Sequence, residues 1–208
     1  LWPPVPVRVT RIVSSGRPSS PQRRAICADW FALPLHDGEV GAIVGDGALT
    51  MCDWPDGAQR LLAQLARVLR SGGTVAIRCF ATAENAETPD QLADAAAAGE
   101  LTFHEWRMRF NMAAARADGA VSITSARLFA HYDAAWPDRH DMRAAPAWPR
   151  EGIAEIDAYR DSTYVHSYPK RSEIGALMDS CWPGDWRFVE TTGYPGAGHC
   201  PLLVATRA

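Results

Sequence analysis

No two of the five cysteines, at 27, 52, 79, 181 and 200, stand at CxxC spacing, and their number is odd. That removes the common zinc spacings and leaves no disulfide framework, so reduced thiols and a cytoplasmic setting are the expectation. HExxH is missing too, and no metal is expected. No apolar run approaches the roughly 20 residues of a membrane span, and no signal peptide is read. Positive charge is not in surplus: 21 Lys and Arg stand against 24 Asp and Glu, for a net charge of −3. Neither a nucleic acid nor an anionic membrane is therefore an expected partner. The chain opens on "LWPPVPV" without methionine, and sequence upstream of Leu1 is expected. A glycine-rich loop between a strand and a helix is also lacking. "GYPGAGH" at 193–199 has the glycines but leads into "PLLVAT", a strand, so it reads as a hairpin connection.

What is present suits one α/β domain: 208 residues, 47% hydrophobic and 22% charged. "VPVRVTRIV" alternates like a strand with Pro6 at an edge, and "SSGRPSSPQRR" reads as a loop. Residues 24–28 and 40–44 are short apolar strands, each running into an acid and a turn, at Asp29 and at Asp46-Gly47. Residues 56–70 carry Leu61, Leu62, Leu65, Val68 and Leu69 on one helical face, and Ser71-Gly72-Gly73 ends that helix. Residues 74–80 form a further strand. Apolar strands flanking an amphipathic helix predict a parallel sheet covered on both faces.

Beyond it, 88–98 and 103–116 read as helices, 120–132 as a strand, and 134–152 as a Pro/Trp-rich loop. Ser172 is the expected N-cap of a helix over 172–180. Strands 186–192 and 201–206, joined without a helix, must be antiparallel.

Several of these segments together resemble the class I S-adenosylmethionine-dependent methyltransferases. "RAICADWFALPL" is similar to the family's third strand and its acid. "VGAIVGDGALT" is similar to the fourth strand and its loop, and "LLAQLARVLRSGGTVAIRCF" to the helix, turn and fifth strand. "SYPKRSEIGALM" with the strand pair after it resembles the last helix and closing antiparallel hairpin. Ser71 stands where the family's turn usually has proline.

The resemblance implies a Rossmann-like sheet in the family's strand order 3-2-1-4-5-7-6, with strands 1 and 2 and their glycine-rich loop missing from this chain. Three arrangements would reconcile that gap: a fragment of a longer protein, residues 5–13 substituting as a strand, or a displaced strand 24–28. It further implies one domain, with an irregular segment over 1–23, a sheet core over 24–80 and 164–208, and an acceptor-recognition insert over 81–163.

The cofactor implied is S-adenosyl-L-methionine. Asp29 would accept from the adenine amino group, and Trp30 would pack near the ring. Asp46 and Gly47 would lie under the methionine part, beyond the carboxyl ends of the strands. Either acid could equally be a turn cap. The expected activity is methyl transfer to a small-molecule acceptor, with weak or no cofactor binding by these residues alone.

For the acceptor, His104 and Arg107 share a helical face, with Trp106 and Arg109 nearby. Tyr164, His166 and Tyr168 alternate, so an extended segment would point them one way. His131 and His140-Asp141 could serve in proton removal. No residue is singled out as catalytic, because methyl transfer needs mainly positioning. A non-catalytic remnant that binds a partner or serves structure is the alternative. A nicotinamide-dependent oxidoreductase is a third reading, and it leaves the closing antiparallel pair unexplained. Oligomeric state is not legible in the sequence.

Overall fold

The computed structural model describes residues 7–13, 22–138 and 148–208. Strands β1 (Val7–Val13) and β2 (Gln22–Ala28) pair antiparallel, Val7 opposite Ala28, as a hairpin of their own. The strand expected at 24–28 is thus present but belongs to no larger sheet. It begins at Gln22, inside the stretch read as a loop.

The main sheet has four strands in the order β3-β4-β8-β7. Here β3 is Val40–Asp46, β4 is Leu69–Arg78, β7 is Trp186–Val189 and β8 is Leu202–Thr206. β3 and β4 run parallel, joined by helix α1 (Asp56–Val68), as a parallel pair requires a crossover. β8 lies antiparallel to both β4 and β7, with Thr74 opposite Thr206. The short "GYPGAGHC" connection contains a 3-10 turn at Ala197–His199 and no α-helix.

α1 ends at Val68, two residues earlier than expected, and Leu69 is already extended. The reason is local. Gly72, at φ +69°, donates to the Arg207 carbonyl at 2.9 Å, and an added Cβ on Gly73 would stand 2.8 Å from the Arg70 oxygen. "SGG" is therefore the start of the strand rather than a loop before it.

One face of the sheet carries the core. Leu61, Leu62 and Leu65 of α1 and Ile174, Leu177 and Met178 of helix α6 (Arg171–Cys181) cover Val75, Ile77, Leu203 and Ala205. Each fully buried leucine of that set contributes about 1.5–3 kcal/mol. The cap of α6 is not Ser172: the backbone N–H of Lys170 donates to Glu173 at 2.6 Å, and Ser172 N donates to Glu84 at 3.2 Å.

Coverage of both faces is contradicted at β3. Ala42, Val44 and Asp46 alternate as exposed positions, and Val44 is 85% exposed. α1 and α6 pack against each other on the same side of the sheet, so among the described residues β3 has a bare face and a free edge.

A second core joins helices α2 (Pro89–Ala97), α3 (Phe103–Ala117), α4 (Ser125–Ala135) and α5 (Arg150–Asp157) around an aromatic group that includes Phe103, Trp106, Phe110, Tyr132 and Trp148. Thr88 and Gln91 close a reciprocal cap on α2. The strand expected over 120–132 is corrected here. Only Ser122–Thr124 is extended, as β5, paired with β6 (Val165–Ser167). Thr124 accepts from Arg127 N at 3.2 Å and caps α4. Leu128, Phe129 and Tyr132 then bury one helical face against the aromatic cluster, so the cap and burial override the short alternation. α5 likewise begins inside the stretch read as a loop. A Gly152 Cβ would meet the Phe103 ring at 2.5 Å, so the helix sits tightly on α3.

Candidate functional site

The acids predicted at strand ends are both occupied. Asp29 follows β2 and caps the 3-10 turn Trp30–Ala32, its Oδ1 accepting from Phe31 N at 2.9 Å. The Trp30 indole N–H is sealed from solvent without a partner. Asp46 closes β3 and is held by a fork from Arg78 at the end of β4, both bonds 2.7 Å. That pair keeps the Arg78 guanidinium charged. Gly47 takes φ +62°, and its N–H donates to the Arg78 carbonyl at 2.9 Å. The Phe80 ring fills the space beside it, since a Cβ on Gly47 would fall 2.9 Å from that ring. Asp29 and Asp46 stand on strands of different sheets, so they do not line one sheet end as the sequence pattern implied.

As arranged, Asp29, Asp46 and Gly47 are engaged within the chain itself. Pockets for ligands of drug size hold about 300–1,000 Å³. The recess beyond the end of β4 has room for about one water molecule, and Asp29, Trp30, Asp46 and Gly47 do not line it. Asp46 offers its oxygens to Arg78, and Phe80 covers Gly47.

The acceptor candidates separate into two groups. Tyr164, His166 and Tyr168 do form a row on one side of β6, with ring centroids 5.1 Å and 6.4 Å apart. His166 Nε2 lies 3.0 Å from the buried Ser125 hydroxyl, and burial pushes its pKa down to about 4. Burial beside Cys52 raises the Tyr164 hydroxyl. Tyr159 bridges this row to Arg107: its ring is 6.1 Å from His166, and it lies in the electrostatic surroundings of the guanidinium. Arg107 pairs with Glu155 at 2.5 Å.

His104 stays outside, exposed against Phe103 at the start of α3. His131 pairs with Asp118 at 3.1 Å, a carboxylate that Arg127 also holds. His140-Asp141 lies outside the described residues.

The row adjoins the loop carrying Asp46 and Gly47. Ser167 Oγ donates to the Cys52 carbonyl at 2.5 Å, and Trp54 N donates to Ser122 Oγ at 3.1 Å. Sequence reading gave no sign of this link, because serine hydroxyls that tie a loop to a strand carry no spacing signal. It also missed the recess itself, lined by Thr82, Ala86, Glu87, Arg109, Met112 and His199. Arg109 is the member of the α3 set that reaches it. Arg107, two residues away, points to the other side of the helix.

No family model and no curated protein matches the chain. Solved S-adenosylmethionine-dependent methyltransferases are among the structures it resembles. One from Methanosarcina mazei is 14% identical, with 93% of this chain and 72% of that one covered and a TM-score of 0.47. A geranyl diphosphate C-methyltransferase from Streptomyces coelicolor is 13% identical over 89% and 54%, at 0.34. A Rhodobacter sphaeroides protein described as a zinc-dependent alcohol dehydrogenase is 12% identical over 88% and 65%, at 0.52. The chain thus spans less than two thirds of two of these three. At such identities the likeness concerns the fold alone, a mixed α/β arrangement around a sheet with a parallel pair.

Proposed function

We propose that residues 24–208 are the closing half of a class I methyltransferase-type domain, one that transfers methyl from S-adenosyl-L-methionine to a small molecule. The observation that carries this reading is the sheet: β3 parallel to β4 across α1, then β8 and β7 antiparallel. A doubly wound nicotinamide-binding sheet is mostly parallel and has no need of that closing pair. The edge of β3, open among the described residues and with Val44 exposed, is where this reading would add further parallel strands and a glycine-rich loop. The helical layer over 81–163 supplies the acceptor side. Asp29 and Trp30 would meet the adenine, and Asp46 and Gly47 the methionine end, once those strands are in place. Within this reading Tyr164, His166 and Arg107 stand on the acceptor side.

The 208-residue chain alone is expected to bind S-adenosylmethionine more weakly than about 100 μM, or not at all. Calorimetric titration checks this, and low-micromolar affinity would overturn it. A protein extended by its upstream coding sequence is expected to bind in the low-micromolar range. If the extended protein binds no cofactor either, the second reading takes over. That reading is a non-catalytic remnant, favoured by the Arg78–Asp46 pair and by Phe80 over Gly47.

A further inference from the structure

Arg78 does for Asp46 what a cationic ligand does. Its fork takes both carboxylate oxygens at 2.7 Å, and its guanidinium lies over the Phe80 ring, 5.5 Å from the centroid. A carboxylate with an aromatic face beside it is the pair of features an ammonium group uses. Arg78 brings the same charge and the same kind of donor from within the chain.

The backbone around this contact is pinned. Gly47 N–H donates to the Arg78 carbonyl, Cys79 N–H to that of Pro201 and Ala81 N–H to that of His199, each at 2.9 Å. Phe80 also packs against the second core, so its ring is a fixed wall. The ion pair is not needed to hold the strands, because β3 and β4 are already paired from Ala42 opposite Thr74 to Asp46 opposite Arg78. The guanidinium is the part that can move. Its side chain is 38% exposed and that of Asp46 64%, so leaving the carboxylate takes it into water and needs only rotation about side-chain bonds. An ion pair this exposed shifts an equilibrium by no more than about fivefold. Displacing it is within reach of a ligand, and the vacated carboxylate favours another cation in its place.

We infer that Arg78 is a tethered, displaceable plug on Asp46, which closes the methionine end of the site until the ammonium group of a ligand takes its place. The identity of that ligand rests on the methyltransferase-type reading. Affinity is then set by the fraction of time the plug is out.

Two measurements test this. In the 208-residue chain, with no cofactor, a double-mutant cycle of Arg78→Gln and Asp46→Asn read by urea unfolding measures how firmly the plug is seated. The coupling is expected to stay below about fivefold in the unfolding constant. A larger coupling makes the pair a structural lock and overturns the inference. In the protein extended by its upstream coding sequence, the same two variants are titrated calorimetrically with S-adenosyl-L-methionine. Each breaks the same ion pair, yet opposite effects are expected. Arg78→Gln should bind about two- to fivefold more tightly than the natural sequence, and Asp46→Asn at least about tenfold more weakly. Losses in both variants, or no gain in Arg78→Gln, overturn the inference and leave the methyl-transfer reading standing. Binding by none of the three proteins overturns that reading and the inference with it.

Discussion

Trp106→Ala is expected to destabilise the chain by about 3–5 kcal/mol, measured as the shift in urea unfolding. Trp106 is fully buried at the centre of the second core. Its ring lies 4.5 Å from Trp148, 4.9 Å from Trp136, 5.3 Å from Phe110 and 5.6 Å from Tyr132. Removing it takes one ring from several aromatic pairs at once and leaves a cavity that α2–α5 cannot close without moving. The indole N–H has no partner, so packing alone accounts for the loss. Trp106→Phe keeps much of that packing and removes the orphan donor. Its cost is expected to be below about 1.5 kcal/mol. A Trp106→Ala loss under about 1 kcal/mol, or a Phe variant as damaged as the Ala variant, would show that the aromatic core is not what holds the helical layer.

Acid is expected to weaken the fold through His166. Burial holds its folded pKa down to about 4, against about 6.5 in an unfolded chain. The unfolded state therefore takes up the proton first as pH falls. The contribution is complete above about pH 6.5 and is lost between there and about pH 4, with about 2 kcal/mol gone by pH 5. Glu87, Glu173 and Asp118, whose pKa values are lowered by arginine partners, lose their contributions only at lower pH. Burial lowers His199 as well, so the measurement must be a difference. Urea unfolding at pH 7.5 and pH 5 is compared for the natural chain and His166→Gln, which can keep a bond to Ser125. The variant is expected to lose about 2 kcal/mol less over that interval. Identical losses would remove His166 from the account.

The order of the sheet elements could be read because each depends on local signals. Leu61, Leu62, Leu65 and Val68 mark α1, the apolar runs mark β3 and β4, and a connection without a helix makes β7 and β8 antiparallel. α4 could not be read this way. Val121 and Ile123 alternate like a strand, and only the cap at Thr124 and the pocket awaiting Tyr132 turn the chain into a helix. At the site, the alternation of Tyr164, His166 and Tyr168 predicted a shared side, and the rings do share one. The fate of Asp46 was not legible. Whether it meets a ligand or Arg78 depends on the parallel register that sets Asp46 beside Arg78, and register between strands 32 residues apart leaves no mark in either strand alone. Arg109 was indistinguishable from Arg107 as a type. Only the turn of α3 and the fold of the 82–87 segment separate their roles.

The position of β8 has a consequence for synthesis. It is an interior strand, between β4 and β7, yet it is drawn from residues 202–206 and pairs Thr206 with Thr74, about 130 residues earlier. At ribosomal rates that separation is on the order of ten seconds. Through that interval β3 and β4 can pair across α1, but β4 has no neighbour on its other side, and Arg207 is not yet there to reach the carbonyls of Arg67 and Leu69. The nascent chain therefore carries an incomplete, sticky sheet until residues 202–206 emerge. Chaperone demand during translation should fall on the β3–β4 unit rather than on the helical layer.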